Sequence, residues 1–280
     1  MFNNAKTYNL KARFVEVKFK GKLTFNDNST GTENILDFSS STSTASLPSA
    51  GISNSQSLKL SETISNWKSY IKDNENDFIN KFNQSLIKYQ PFKKRSKIDY
   101  TKLTVDFENF AIGTSSSGEG IDKIKKSISS IDIDAIACNM EDFLTGLKEM
   151  YLDENDAEKG ITIFLLPIII RYSNPPLGVS VDYLDGFADD IFSTGRYIMM
   201  TKYSSLLRKE TLIHEAAHTL GLFHSFQNKT TDNGRDVIPI HTFEKTKTEN
   251  IMDYSDTVIS FWKWQWTEML KDTADLELIK

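Results

Sequence analysis

Cysteine is nearly absent from this sequence, since Cys138 is the only one among 280 residues. A single cysteine cannot form an intramolecular disulfide, which excludes a disulfide-stapled scaffold. The composition fits a reducing compartment, or a bacterial protein that is exported without disulfides. The apolar residues around Cys138 predict a buried side chain that takes no part in chemistry.

Long apolar runs are also scarce, and basic residues do not outnumber acidic ones, with 33 Lys and Arg against 38 Asp and Glu. The N-terminus has no basic segment followed by an apolar core, so we expect no Sec signal peptide. The longest apolar stretch, ITIFLLPIII at 161–170, is too short to span a bilayer and predicts a buried strand. The localisation stays open between the cytoplasm and export by a signal-independent route. A net charge of −5 argues against a nucleic-acid partner, because such proteins usually present a basic face.

The spacing of apolar residues divides the chain into two parts. Alternation at 15–19 predicts a strand, and the Ser- and Thr-rich stretch at 39–58 predicts a linker. Apolar residues three and four apart over 64–87 predict an amphipathic helix of roughly 25 residues. We therefore expect an accessory or pro-region at 1–97, followed by a catalytic domain at 98–280.

The second part alternates strand patterns with helical patterns, which predicts an α/β fold. Strand patterns lie at 102–112, 161–170 and 196–202. Near the C-terminus, Trp262 and Trp266 are four residues apart and predict a helix that packs on the domain. Aromatic anchoring of a partner is the alternative for these two tryptophans.

Three of the four histidines lie in the single run TLIHEAAHTLGLFHSF at 211–226. On a helix His214 and His218, four residues apart, lie on one face and can direct their imidazoles at a common point. Gly221 can adopt the left-handed conformation that ends helices, so the chain can turn and bring His224 back as a third ligand. Three ligands with a fourth position open to water are typical of catalytic zinc.

The extended pattern HExxHxxGxxH fixes two more positions than HExxH and is correspondingly specific. The segment from His214 to His224 matches it and resembles the zinc motif of the metzincin metallopeptidases, most of all that of the pappalysin group. NIMDYS at 250–255 resembles the methionine turn of this family, with Met252 at the methionine position.

The resemblance implies a zinc-dependent metalloendopeptidase that acts on protein or peptide substrates. Its zinc ligands would be His214, His218 and His224. Glu215 would be the general base that activates the zinc-bound water, and Met252 would form a hydrophobic floor below the metal. Tyr254 would stabilise the oxyanion; a packed tyrosine with one structural hydrogen bond is the alternative.

The fold implied by the resemblance is a metzincin-type catalytic domain. It has a twisted mixed sheet, here expected with five strands, an antiparallel edge strand, the zinc-binding active-site helix and an irregular lower subdomain. RYIMMTK at 196–202 resembles the edge strand, and LGVSV at 177–181 resembles the loop before it. Because an unpaired edge binds extended chains through main-chain hydrogen bonds, a peptide would lie beside 196–202.

Acidic loops flank the histidine run and could hold structural Ca²⁺, although solvated acidic loops are the alternative. The carboxylates concerned are Asp182, Asp185, Asp189, Asp190, Asp232 and Asp236. His241, the fourth histidine, is expected in a loop and outside the ligand set. Cys138 as a zinc-blocking switch is the functional alternative to simple burial.

Two other functions stay open at this point. The zinc site could be vestigial, which predicts a binding protein that holds metal without turnover. The chain could also be a bacterial effector or toxin protease with a dedicated target, because its C-terminal tail loosely resembles metallopeptidase domains of bacterial toxin systems. That role would add an inhibitory or immunity protein as a partner.

Overall fold

The structure, a computed structural model, describes 177 of the 280 residues. The described residues are 7–27, 32–38, 42–46, 56–59, 67, 69, 76–85, 87–91, 100–108, 110–111, 120–131, 135–154, 160–172, 183–189, 196–201, 210–226, 230–232, 235–237, 242–255, 257–271 and 277–278.

Short strands outnumber helices among these residues. The strands are β1 (Tyr8–Lys20), β2 (Lys22–Asp27), β3 (Thr32–Asp37), β4 (Thr42–Ser46), β5 (Gln56–Lys59), β6 (Ile87–Pro91), β7 (Tyr100–Asp106), β8 (Phe110–Ala111), β9 (Ile128–Ile131), β10 (Ala135–Cys138), β11 (Ile161–Leu165), β12 (Ile169–Tyr172), β13 (Tyr183–Leu184), β14 (Gly186–Ala188), β15 (Arg196–Met200), β16 (Thr230–Asp232), β17 (Arg235–Val237) and β18 (Glu277–Leu278). The helices are α1 at 76–84, α2 (Ile121–Ser127), α3 (Met140–Glu154), α4 (Thr211–His218) and α5 (Lys263–Met269).

The main sheet is mixed, and it confirms the α/β class. It contains seven strands rather than the five expected: β14, β15, β11, β1 and β18 in that order, with β6 and β7 also paired to β1. β1, β11 and β15 run parallel to one another, whereas β14 is antiparallel to β15. Among the described residues, no helix is both long enough and apolar enough to cross a membrane.

Strand β1 lies at the centre of this sheet. It pairs in parallel with β11 along one edge, and with β6 and then β7 along the other. Both of its faces are buried: Leu10, Ala12 and Phe14 enter one hydrophobic cluster, and the alternate positions from Val15 to Phe19 enter a second.

The pairing of β1 corrects the predicted domain boundary. Residues 1–97 are not an appendage to a domain at 98–280, because β1 and β6 complete the sheet to which β11 and β15 belong. The alternation at 15–19 predicted a strand correctly. It could not predict the partner strands, of which β11 lies about 150 residues away in sequence and β18 about 270.

The predicted linker at 39–58 is also wrong for part of its length. Strands β4 and β5 fall within it and pair antiparallel to each other, in the sheet β5-β4-β3-β2-β8. The Ser- and Thr-rich composition hid these strands, since main-chain pairing does not require large side chains. A further sheet has the order β13-β12-β10-β9, so the apolar run at 161–170 is split between two sheets.

The predicted amphipathic helix is confirmed at 67, 69 and 76–84, and it is wrong at its C-terminal end, where Ile87 begins strand β6. Trp67, Phe78 and Phe82 are buried, and the Trp67 indole Nε1–H donates to the carbonyl of Leu166 at 3.1 Å. The helical segment is over by Ser85, and strand β6 begins at Ile87.

Helix α4 packs on the same hydrophobic cluster as α1 and one face of β1. Its contributions are Leu212, Ile213, Ala216 and Ala217, followed by Leu220 just beyond the helix. The N-terminal segments of the chain therefore support the helix that carries the first two histidines.

Cys138 is buried at 1% exposure in the other cluster, among residues of β10 and α3. Burial raises the pKa of its thiol, so the thiolate that would bind a metal is disfavoured. This confirms the prediction of a side chain packed among apolar residues.

Candidate active site

Helix α4 presents its histidines from the boundary between core and surface. His214 and His218 are each 8% exposed, while the apolar residues between them are fully buried. Gly221 has a φ of +90°, as the predicted left-handed turn requires, and its N–H donates to the carbonyl of His218 at 2.9 Å. The chain thus turns back directly after the helix, and His224 returns to the first two histidines.

The three imidazoles converge through their Nε2 atoms. Nε2 of His218 lies 3.1 Å from Nε2 of His214 and 3.2 Å from Nε2 of His224. One nitrogen from each ring lies within 4.8 Å of the others, which is the spacing of ligands around one metal ion. The triad predicted from the sequence is therefore assembled.

Backbone carbonyls fix the tautomer of two of these rings. Nδ1 of His214 lies 2.7 Å from the carbonyl oxygen of Ile251, and Nδ1 of His218 lies 2.6 Å from that of Leu222. A carbonyl oxygen can only accept, so each Nδ1 must carry the proton and donate. In the neutral ring the lone pair then sits on Nε2, which faces the other histidines.

Burial favours this neutral form. It lowers the pKa of His214 to about 4, against smaller opposing effects of the Ile251 carbonyl and of Asp253. The pKa of His218 falls well below its usual value through burial and the charges of the other two histidines. Two neutral Nε2 lone pairs 3.1 Å apart repel each other unless a cation lies between them. The donor set fits a metal that prefers imidazole nitrogen, as zinc does.

Tyr254 completes the exposed side of the cluster. Its hydroxyl lies 2.9 Å from Nε2 of His224, and its ring is packed edge-on against that imidazole at 4.8 Å between centroids. Phe226 stacks on His224 at 4.9 Å between centroids and also contacts the ring of Tyr254 edge-on at 5.0 Å. Tyr254 is 43% exposed, so this side of the cluster faces solvent.

The predicted methionine turn lies against two of the ligands. Met252 is fully buried, and the preceding carbonyl, of Ile251, is the acceptor for His214. The carbonyl of Met252 accepts from the N–H of Ser225, the residue after His224, at 2.9 Å. Met252 therefore lies in a segment that hydrogen-bonds both to His214 and to the residue that follows His224.

A buried amide pair anchors this turn, and sequence reasoning missed it. Asn250 and Gln265 are both 0% exposed and hydrogen-bond each other twice, at 2.7 and 3.0 Å. Asn250 Oδ1 also accepts from the N–H of Met252, and Gln265 Oε1 accepts from the N–H of Trp262. The only sequence signal was a glutamine among aromatic residues in helix α5.

Asp253 was also missed. Its carboxylate is 4% exposed and accepts four hydrogen bonds, two from Thr248 and one each from the N–H groups of Thr246 and Tyr254. Burial alone would raise the pKa of this carboxyl, but the hydrogen bonds outweigh it and the pKa is lowered. Asp253 therefore stays ionised and holds the loop 246–248 against the turn.

Glu215 lies between the triad and the end of the sheet. Burial raises the pKa of its carboxyl to about 8, an effect that the N–H of Ala188 opposes and the charge of Asp185 reinforces. A Cβ added at Gly186 would stand 2.8 Å from Cγ of Glu215. The glycine therefore allows strand β14 to approach this carboxylate closely.

Among the described strands of the main sheet, the edge next to β15 is β14, not the segment predicted. Strand β15 (Arg196–Met200) lies inside the sheet, parallel to β11 and antiparallel to β14, so RYIMMTK at 196–202 is no edge. All five residues of β15 are buried, and such continuous burial belongs to an interior strand. LGVSV at 177–181 lies outside the described residues.

The calcium prediction gains no support. Asp182, Asp190 and His241 lie outside the described residues, and Asp189 forms an ion pair with Lys148 at 3.7 Å. Asp232 is in β16 and Asp236 is in β17. Within the described part of the chain, the histidine triad alone groups three side chains that could hold a metal ion.

Comparison with known proteins adds nothing to this geometry. No protein-family model matches the chain, and no curated protein matches its sequence. Function is therefore inferred from the side chains of the site.

Proposed function

We propose that the protein is a zinc-dependent metalloendopeptidase of metzincin type. The observation that carries this proposal is the convergence of three Nε2 atoms, with that of His218 3.1 and 3.2 Å from the other two and with two of the rings held in the metal-binding tautomer. An exposed tyrosine and a carboxyl with a raised pKa lie beside them. Structural zinc sites, by contrast, usually use cysteine, and none is part of this cluster.

The metal would be held by His214, His218 and His224. Zinc bound there would supply Lewis-acid chemistry, in which it polarises a peptide carbonyl and lowers the pKa of water. Hydrogen bonds from Nδ1 to carbonyls fix the rings and increase the basicity of Nε2.

Glu215 is the proton carrier in this proposal. A carboxyl whose pKa lies near the working pH can take a proton from the attacking water and return it to the leaving amine. The N–H of Ala188 hydrogen-bonds the carboxylate and holds it beside β14, so Glu215 is oriented by the edge strand as well as by helix α4.

Tyr254 would act on the substrate carbonyl. Its hydroxyl lies 2.9 Å from Nε2 of His224, and its side chain is accessible. A hydroxyl in that position can donate to the oxygen that gains negative charge as the carbonyl is attacked.

An extended peptide would pair with β14. In the described part of the chain this strand is the last in the main sheet, and β15, its antiparallel partner, pairs with one of its two sides. Main-chain hydrogen bonding there selects peptide as the substrate class without selecting its sequence. The proposed docking site for the peptide is therefore at 186–188, and not at 196–202 as the sequence predicted.

The test compares the zinc-loaded protein with Glu215→Gln on a cell-extract proteome and counts new peptide N-termini. We expect new termini with the wild type, and a loss of about 10²–10⁴-fold in rate with Glu215→Gln, because the general base is removed. Equal output from the two proteins, with zinc bound to both, would favour the vestigial site instead. An effector or toxin role and an inhibitory or immunity partner stay predictions.

A further inference from the structure

The loop 243–248 is fixed against the proposed active site. The N–H of Phe243 donates to the carbonyl of Ser225 at 2.8 Å, next to the third histidine. Three residues on, Thr246 adopts a φ of +65° and donates its N–H to Asp253 at 2.7 Å. The two acceptors, Ser225 and Asp253, belong to segments that carry site residues. The residues between Phe243 and Thr246 are therefore held close to the site.

Lys245 lies between Phe243 and Thr246, the two residues that make these hydrogen bonds. Its Nζ stands 4.8 Å from the ring centroid of Tyr254 and 5.4 Å from that of Phe226. Both rings also contact the imidazole of His224, at 4.8 and 4.9 Å. The ammonium is therefore within roughly 10 Å of the third ligand, a distance that about three residues of an extended peptide would cover.

The charge of this ammonium is available to a ligand. Among the described residues, no carboxylate pairs with Lys245, and nearby Asp253 is buried with its own four donors. The faces of two aromatic rings attract a cation, but they are weaker hydrogen-bond acceptors than a carboxylate. The ammonium can therefore still donate hydrogen bonds to a carboxylate. A lysine held beside the histidine triad by two rings is thus positioned to receive an anion.

We propose that Lys245 is a specificity-determining residue that binds a carboxylate of the substrate close to the scissile bond. This inference rests on the proposed peptidase function and adds a substrate class to it. The carboxylate is an Asp or Glu side chain, or the C-terminal carboxylate of a short peptide. Phe226 and Tyr254 form the platform that positions the ammonium.

The test profiles cleavage of a peptide library made from a digested proteome, offered with free and with amidated C-termini. We expect the wild type to favour Asp or Glu by about tenfold at one position within about three residues of the cleaved bond, in keeping with a charge pair near a protein surface. Preference for a fixed distance from a free C-terminus, lost on amidation, would identify the terminal carboxylate instead.

Lys245→Glu should reverse this preference to Lys or Arg at the same position, and Lys245→Ala should abolish it. Lys247→Glu is the matched control: it changes a lysine two residues away that, in the described structure, contacts neither ring, and it should leave the profile unchanged. A profile that is identical in wild type and Lys245→Glu would overturn the proposal while leaving the peptidase function intact.

A binding measurement separates the two claims. Zinc-loaded Glu215→Gln should bind a dye-labelled acidic peptide about tenfold more tightly than its amide analogue in fluorescence anisotropy, and adding Lys245→Glu should remove the difference. No effect of Lys245→Glu on binding overturns the role of Lys245. Lysine-dependent binding with no cleavage by the wild type supports the carboxylate site and rejects the peptidase.

Discussion

Two regions of different construction hold the histidine triad. His214 and His218 stand on helix α4, whose apolar side chains pack into a hydrophobic cluster with α1 and β1. His224, Met252 and Tyr254 stand on irregular chain that hydrogen bonds organise, through the Asn250–Gln265 amide pair and the carboxylate of Asp253.

The difference follows from where backbone polar groups find partners. A helix satisfies its own N–H and C=O groups, so apolar packing is enough to fix it. Irregular chain needs side-chain partners when it is buried, and each missing partner costs free energy. We call helix α4 and the hydrophobic cluster below it the packed region, and the irregular chain that carries His224, Met252 and Tyr254 the bonded region. Changes in the packed region should act on the stability of the fold, and changes in the bonded region on the metal site.

The largest effect is expected from removing residues 1–97. This deletion takes away β1 at the centre of the main sheet, and with it Trp67, Phe78 and Phe82 of the packed region. We expect a chain that does not fold, seen as loss of the cooperative transition in thermal unfolding followed by circular dichroism. A folded fragment with raised peptidase activity would restore the pro-region interpretation.

Phe82→Ala is the next largest change. Phe82 is fully buried, with its ring 4.9 Å from that of Phe78 and 5.6 Å from that of Phe261. Truncation should lower the free energy of unfolding by about 3–5 kcal/mol in denaturant titrations. Asn83→Ala, an exposed change in the same helix, should shift it by less than about 0.5 kcal/mol. Similar losses in both variants would contradict the packing described for α1.

Gln265→Ala tests the bonded region. It leaves Asn250 without its buried partner, which should cost about 1–3 kcal/mol of stability. Because Asn250 orients the turn whose Ile251 carbonyl fixes His214, zinc affinity should also fall by about tenfold or more in competition with a chromophoric chelator.

Thr267→Ala, an exposed change in the same helix as Gln265, is the control and should keep the wild-type zinc affinity. Weaker zinc binding in Phe82→Ala than in Gln265→Ala, at a temperature where both variants are folded, would erase the distinction between the two regions.

Glu215→Gln should stabilise the metal-free protein, with a dependence on pH. Burial raises the pKa of this carboxyl from 4.5 to about 8, so between these values the folded state binds a proton that the unfolded state releases. The wild-type protein therefore has its full stability below pH 4.5 and loses part of it as the pH rises toward 8. Glu215→Gln cannot ionise and should not show this loss.

In chelator-treated samples, the melting temperatures of the wild type and Glu215→Gln should converge at low pH and separate as pH rises. A constant offset between the two proteins from pH 5 to pH 8 would show that Glu215 is not held in an environment that disfavours its charge.

The residues of the site were largely predictable, because helix periodicity and one glycine determine them locally. The spacing of His214 and His218 and the turn at Gly221 bring His224 to the same point without long-range information. The burial of Met252 and the position of Tyr254 also agree with the sequence motif.

What could not be predicted depends on partners distant in sequence. The alternation in β1 predicts a strand but carries no information on its pairing with β11, and the Asn250–Gln265 pair leaves no periodic signal. For β15 the signal was present and was misread. Its continuous burial marks an interior strand, and the short GFA segment of β14 is the edge.

The most direct test of the central claim is the zinc content of the purified protein and of its variants after dialysis against zinc. We predict one zinc per chain in the wild type and in Glu215→Gln, with an X-ray absorption spectrum that shows three imidazole nitrogens. His214→Ala, His218→Ala and His224→Ala should each lose the metal. A wild type without zinc, or zinc retained at full stoichiometry in all three histidine variants, would contradict the account.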